Sequence, residues 1–144
     1  MIELTSEDTN RHWSLIRETI ADSLPPLELT DQVFANCQKE LLTGLMTAWF
    51  INRTGSDGKP ELTAILVTTL MNDMTSGNRQ LLIYAIKSFS EHGLDLYRSE
   101  LEQLENYAKK NQCRAIVAFV KDERLTELTQ RLGFRKSMYV WKEV

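Results

Sequence analysis

The spacing of apolar residues shortens at Leu45 in this chain of 144 residues, and that change constrains the fold more than any other feature. Before Leu45, apolar side chains recur at three- and four-residue steps, as in Trp13, Ile16, Ile20 and Leu24. That period belongs to an amphipathic helix. From Leu45 to Phe89 the period shortens to two and β-branched residues accumulate, in the runs LMTAWFINR, LTAILVTTLM and RQLLIYAIKSF. The intervening stretches, TGSDGKPE and NDMTSGN, carry the Gly, Pro, Asn and Asp residues that make turns. Three such strands on short connections predict an antiparallel meander.

The flanking segments fill in the rest. MIEL is a short strand. Thr5 or Ser6 caps a first helix that Pro25 and Pro26 end. Thr30 and Asp31 open a second, with Val33, Cys37 and Leu41 on its apolar face and Gly44 closing it. After a loop at Ser90–Asp95 comes a long helix whose buried face holds Leu94, Tyr97, Leu101, Leu104 and Ala108. RAIVAFV is continuously apolar, as in a strand covered on both faces. DERLTELTQRLG is a short helix stopped by Gly133, and KSMYVWKEV a last strand. The order β-α-α-β-β-β-α-β-α-β describes one α/β (α+β) domain over residues 1–144, a mixed sheet with helices on both faces.

Composition narrows the function. With 42% hydrophobic and 26% charged residues and a net charge of −3, the chain reads as globular and lacks the basic surface of a general nucleic-acid binder. Arg131, Arg135 and Lys136 read as solvated surface. Cys37 and Cys113 have no CxxC partner, so reduced thiols in a cytoplasmic protein are expected. His12 and His92 lie in different segments, and no metal site is expected. No apolar run approaches the ~20 residues that span a bilayer, and the first residues are too polar for a signal peptide.

The element order, together with NQCRAIVAFVKDERLTELTQRLGF, resembles the GNAT acyltransferase superfamily over nearly the whole length. The family often shows a Gly-Cys pair before an apolar strand and ends the next helix in Gly-Phe. Here Gln112 precedes Cys113, and Gly133-Phe134 is kept. The resemblance implies an acetyl-CoA site opened by Q/R-x-x-G-x-G/A at the start of the long helix, where backbone amides and the positive helix end face a pyrophosphate. The corresponding residues are Ser90, Gly93 and Asp95, so one glycine remains. Asp95 is expected to cap the helix with its own carboxylate, and so to fill the anion site and oppose the pyrophosphate charge. Glu91 adds negative charge nearby. The family's cofactor-holding asparagine corresponds to Asp122. Its general-acid tyrosine corresponds to Thr129, a far weaker acid, expected on the helix surface.

Replacements for that acid are few. His92 has the most suitable titration range. Tyr84 lies on the strand that would flank a cofactor, and Glu61 and Asp73 border the meander. None carries a motif of its own.

With three ligand-handling features altered, the expectation is a non-catalytic GNAT-fold module without a cofactor, binding protein partners in a larger assembly. The chain also resembles small GNAT-like proteins of tailed bacteriophages, which implies a virion component. Trp49, Tyr139 and Trp141 are candidate contact residues. The alternative is an active N-acetyltransferase holding acetyl-CoA mainly through backbone contacts.

Overall fold

The computed structural model describes residues 1–23, 29–90, 93–120, 123–137 and 142. Its elements run β1 (Ile2–Glu3), α1 (Ser6–Arg11), α2 (Trp13–Ser23), α3 (Asp31–Thr43), β2 (Met46–Thr54), β3 (Pro60–Asn72), β4 (Arg79–Ser88), α4 (Leu94–Lys110), β5 (Cys113–Ala118) and α5 (Glu123–Arg131). One five-stranded sheet has the order β1-β2-β3-β4-β5. The first four strands are antiparallel neighbours, and β5 joins β4 in parallel. The expected mixed α+β architecture is present.

The first predicted helix is divided. Thr5 caps α1 in a reciprocal box with Asp8, and His12 ends it before Trp13 starts α2. The period of two is realised in β2, β3 and β4, whose alternate residues enter two cores. On one face Ala48, Val67 and Ala85 pack against Ile16 and Ile20 of α2 and Phe34, Cys37 and Leu41 of α3. On the other, Trp49, Ile51, Leu66 and Leu81 pack against Leu104 and Ala108 of α4. Trp49, a candidate contact residue from sequence, is core: it is 5% exposed, its indole N–H donates to Thr68 Oγ1 at 2.9 Å, and its ring meets Tyr107 edge-on.

β5 departs from expectation. Its burial is only partial, with Arg114 and Ala115 exposed. Apolar composition foresaw two covered faces, but α4 covers one face and a broad cavity borders the strand. Of the last predicted strand, residues 138–141, 143 and 144, with Tyr139 and Trp141, lie outside the described residues; Lys136 and Ser137 are not in a strand. Pro25 and Pro26 are outside them as well. No helix among the described residues is long and apolar enough to cross a membrane.

The backbone preserves a feature that the side chain conceals. Gln112, standing where the family pattern has glycine, is the one non-glycine residue among those described with positive φ, at 60°. It follows Asn111, the C-cap of α4. The left-handed turn from helix to strand is therefore kept without the residue that adopts it most easily.

Candidate functional site

The site opens where β5 ends and its parallel neighbour β4 runs on. β5 pairs with β4 only over Arg79–Ile83, ending at Ile83 opposite Ala118, whereas β4 continues to Ser88. At the same place β4 carries an extra residue. Val67 is opposite Ala85 and Thr68 opposite Ile83, so Tyr84 is a bulge with no counterpart on β3. An added residue bends a strand and reverses the facing of all that follows. Ile86 and Ser88 consequently lie opposite Leu66 and Ala64, which belong to the α4 side of the sheet. Lys87 is turned to the α2 side, where its ammonium meets Glu18 at 2.6 Å and Asp22 at 2.7 Å.

Beyond Ile83 a cleft of about 830 Å³ opens, walled by Tyr84, Ile86 and Ser88 of β4, Ala118 at the end of β5, and Leu101 and Leu104 of α4. Openings at the carboxyl ends of parallel strands are common ligand sites in α/β sheets. Two sets of backbone polar groups border this one. Ile86 presents its N–H and C=O on the side away from β3, where both are bonded by the Ser23 hydroxyl. The second set is the amino-terminal end of α4. Its N-cap is Gly93, which offers no side chain to the leading amides, and among the described residues nothing lies within 4 Å of where a Cβ on Gly93 would stand. An uncapped helix end beside open space is a place where an anion can bind.

This placement corrects the sequence reading of Asp95. Asp95 is the second residue of the helix and not its cap. Its carboxylate is fully exposed, 3.6 Å from the Arg98 guanidinium. Capping preference favoured Asp over Gly, but the extended backbone (ψ 154°) at Gly93 sets the helix start two residues earlier. The leading amides remain uncapped by side chains, and the negative charge next to them is turned to water and paired.

The other sequence candidates are dispersed. Ser90 lines the cleft, with its hydroxyl oxygen buried and unpartnered among the described residues. Tyr84 also lines it; its hydroxyl lies 3.9 Å from Cys37 Sγ, and burial pushes its phenol well above the ordinary value. Thr129, expected on the helix surface, is half-buried on the cleft wall and donates to the Thr126 carbonyl at 2.9 Å. Asp73 is not available as a base. It accepts from Thr75 and Ser76 in the β3–β4 turn, bonds that hold its carboxyl at about 2. Glu61 pairs with Arg53 at 3.1 Å on the outer hairpin. Glu91, His92 and Asp122 lie outside the described residues. Both cysteines are free thiols, and among the described residues no group of three or more His, Cys, Asp or Glu could hold a metal ion.

One functional candidate escaped the sequence. Glu100 of α4 is 7% exposed and lines the cleft. Oε1 is buried without a partner among the described residues. Burial raises its carboxyl to about 7, with the Met1 ammonium opposing the shift. The signal was its spacing, three residues after Tyr97 and four before Leu104, within the buried stripe.

No protein-family model and no curated protein sequence matches the chain. Solved structures do. A probable acetyltransferase aligns over 99% of this chain and 94% of its own, with a TM-score of 0.69 at 12% identity. A predicted acetyltransferase with acetyl-CoA from Clostridium acetobutylicum aligns over 99% and 92%, with a TM-score of 0.67 at 15% identity. AAC(6')-Iy in complex with a bisubstrate analogue, CoA-S-monomethyl-acetylneamine, aligns over 99% and 94%, with a TM-score of 0.65 at 14% identity. The fold is that of the GNAT acetyltransferases. The expectation of a non-catalytic structural module is accordingly corrected: whole-length neighbours are named acetyltransferases, two of them with acetyl-CoA or a CoA analogue, and the carboxylate thought to close the anion site faces solvent.

Proposed function

We propose that this protein is an N-acetyltransferase that uses acetyl-CoA, held mainly by backbone groups. The observation that carries the reading is the start of α4 at Gly93, with no side-chain cap and open space among the described residues, beside a cleft where β4 runs on past the end of β5. An acetyl-CoA pyrophosphate fits this end of the helix because backbone amides and the helix dipole supply positive potential without any arginine or lysine. The N–H and C=O of Ile86, held by the Ser23 hydroxyl in the free chain, suit the amides of an extended arm, which would displace that hydroxyl and pair with the strand edge as another strand would.

Acetyl-CoA would bring a thioester-activated acetyl group. The chain's own contribution is placement. Leu101, Leu104 and Ile83 give the cleft apolar walls, beside which a polar contact is stronger than in bulk water. Tyr84, with its phenol pushed up, keeps its proton near neutrality. Glu100 is the described cleft residue that exchanges a proton there. A cytoplasmic setting suits a reaction that draws on acetyl-CoA.

Calorimetric titration with acetyl-CoA tests the reading. Saturable binding, competed by CoA and followed by CoA release when amines are added, is expected. Absence of binding at physiological salt would overturn it.

A further inference from the structure

The end of α2 lies across the part of β4 that β5 leaves uncovered. Ser23 Oγ is 3.1 Å from both the backbone N and the backbone O of Ile86. An extended arm pairing there puts its own N and O at hydrogen-bonding distance from the same two atoms. It needs the space that the Ser23 side chain fills. Turning the hydroxyl aside does not clear that space. The Cβ is one covalent bond from Oγ, and the helix backbone fixes it. The end of the helix itself has to withdraw. Its fastenings are unequal along its length. Ile16, Thr19 and Ile20 are fully buried, and the two isoleucines pack on Ala48, Val67 and Ala85 of the sheet. Beyond Ile20, Ala21 is half-buried and Asp22 exposed. Asp22 and Ser23 line the cleft.

We propose that Asp22 and Ser23 form a gate over the open edge of β4, closed in the free chain, which swings from the anchor at Ile20 to admit an extended, amide-bearing arm. Two bonds fasten it: Ser23 to Ile86, and Asp22 to the Lys87 ammonium at 2.7 Å. Glu18 also meets Lys87, at 2.6 Å, but it stands before the hinge. Its bond is the same with the gate open or closed and does not hold it shut. Naming acetyl-CoA as the source of the arm rests on the acetyltransferase reading; the gate itself rests on the geometry of α2 and β4. The closed gate satisfies backbone groups that a bare strand edge would leave unpaired. It also weakens the arm's apparent affinity in proportion to the fraction of molecules that are open.

The test is hydrogen exchange of the Ile86 amide, followed by NMR in the full chain without ligand. That amide donates to Ser23, so its exchange reports opening of the gate. Asp22→Asn is expected to speed it about threefold, the scale of one exposed ion pair. Glu18→Gln is expected to leave it unchanged, although the two carboxylates sit at nearly the same distance from Lys87. The amide of Leu82, buried in the same strand, should exchange alike in all three proteins. An Ile86 rate unaltered by Asp22→Asn, or raised equally by Glu18→Gln, overturns the gate. The same proteins are then titrated with acetyl-CoA. Asp22→Asn is expected to bind it more tightly by the factor that its exchange is faster. Faster exchange with equal affinity overturns admission of the arm along this edge. Faster exchange with no acetyl-CoA binding by any of the proteins overturns the acetyltransferase reading and leaves the gate standing.

Discussion

The hydroxyl of Ser23 bonds both backbone polar groups of Ile86, accepting from its N–H and donating to its C=O, each at 3.1 Å. Ser23 ends α2, and Ile86 lies two residues past the bulge in β4. One side chain thus occupies the strand edge that the departure of β5 leaves open. A ligand amide pairing with Ile86 must displace it. Net hydrogen bonds of about 1 kcal/mol set the scale, so Ser23→Ala is expected to tighten acetyl-CoA binding roughly fivefold while costing the free protein about 1 kcal/mol. Calorimetric dissociation constants and denaturant titrations measure the two effects; weaker binding would place the arm elsewhere.

Asp95→Gly separates the two views of the anion site. A capping carboxylate in the site would make the variant bind acetyl-CoA at least ~10-fold better, since like charges at close range repel by several kcal/mol in a partly shielded setting. The carboxylate is instead exposed and beside Arg98. Solvent screening then leaves a small term, and the expected change in dissociation constant at physiological salt is below about threefold.

Glu100 makes stability depend on pH in a defined direction. Its carboxyl is raised from 4.5 to about 7 in the folded chain by burial, so the native state holds the proton more tightly than the unfolded state. Below about 4.5 both states are protonated and Glu100 costs nothing. As pH rises the unfolded chain ionises first, and stability declines until about 7, then levels. The loss is on the order of 3 kcal/mol. Glu100→Gln should lack this decline when urea midpoints are compared at pH values on either side of the window.

Tyr84→Phe tests the strongest described candidate for an acid among those the sequence offered. The hydroxyl touches Cys37 and its phenol is pushed well above the ordinary range. A kcat within a few-fold of wild type, and an unchanged basic limb of the pH profile, are expected. A fall of ~100-fold, the scale of a lost general acid or base, would assign Tyr84 the proton after all.

Gln112→Gly addresses the left-handed turn after α4. A side chain at φ 60° carries strain that glycine does not. The variant is expected to gain up to about 1 kcal/mol in urea unfolding, less the greater freedom of glycine in the unfolded chain.

The sequence disclosed what depends on local pattern. The shift from helical to alternating period located the meander, and Thr5 announced its cap. The break at His12 was hidden because the apolar residues that set the helical spacing, Trp13, Ile16 and Ile20, all lie after it. Asp95 was misplaced because capping preference is statistical, whereas the helix start is fixed by the backbone at Gly93. Glu100 was passed over because charge weighed more than position, although its spacing from Tyr97 and Leu104 placed it inward. The contact of Ser23 with Ile86 joins residues 63 apart in sequence, and no local rule foretells it. That β4 runs on past its last pairing with β5, at Ile83, likewise shows only when the sheet is assembled.

The extra residue at Tyr84 has a mechanical corollary. By reversing the strand beyond it, the bulge hands Lys87 to Glu18 and Asp22 while the next backbone unit inward is gripped by Ser23. The rim of the opening is thereby lashed to one helix at two successive residues. A guest that pairs with Ile86 must therefore displace a side chain belonging to the helix on the opposite face of the sheet.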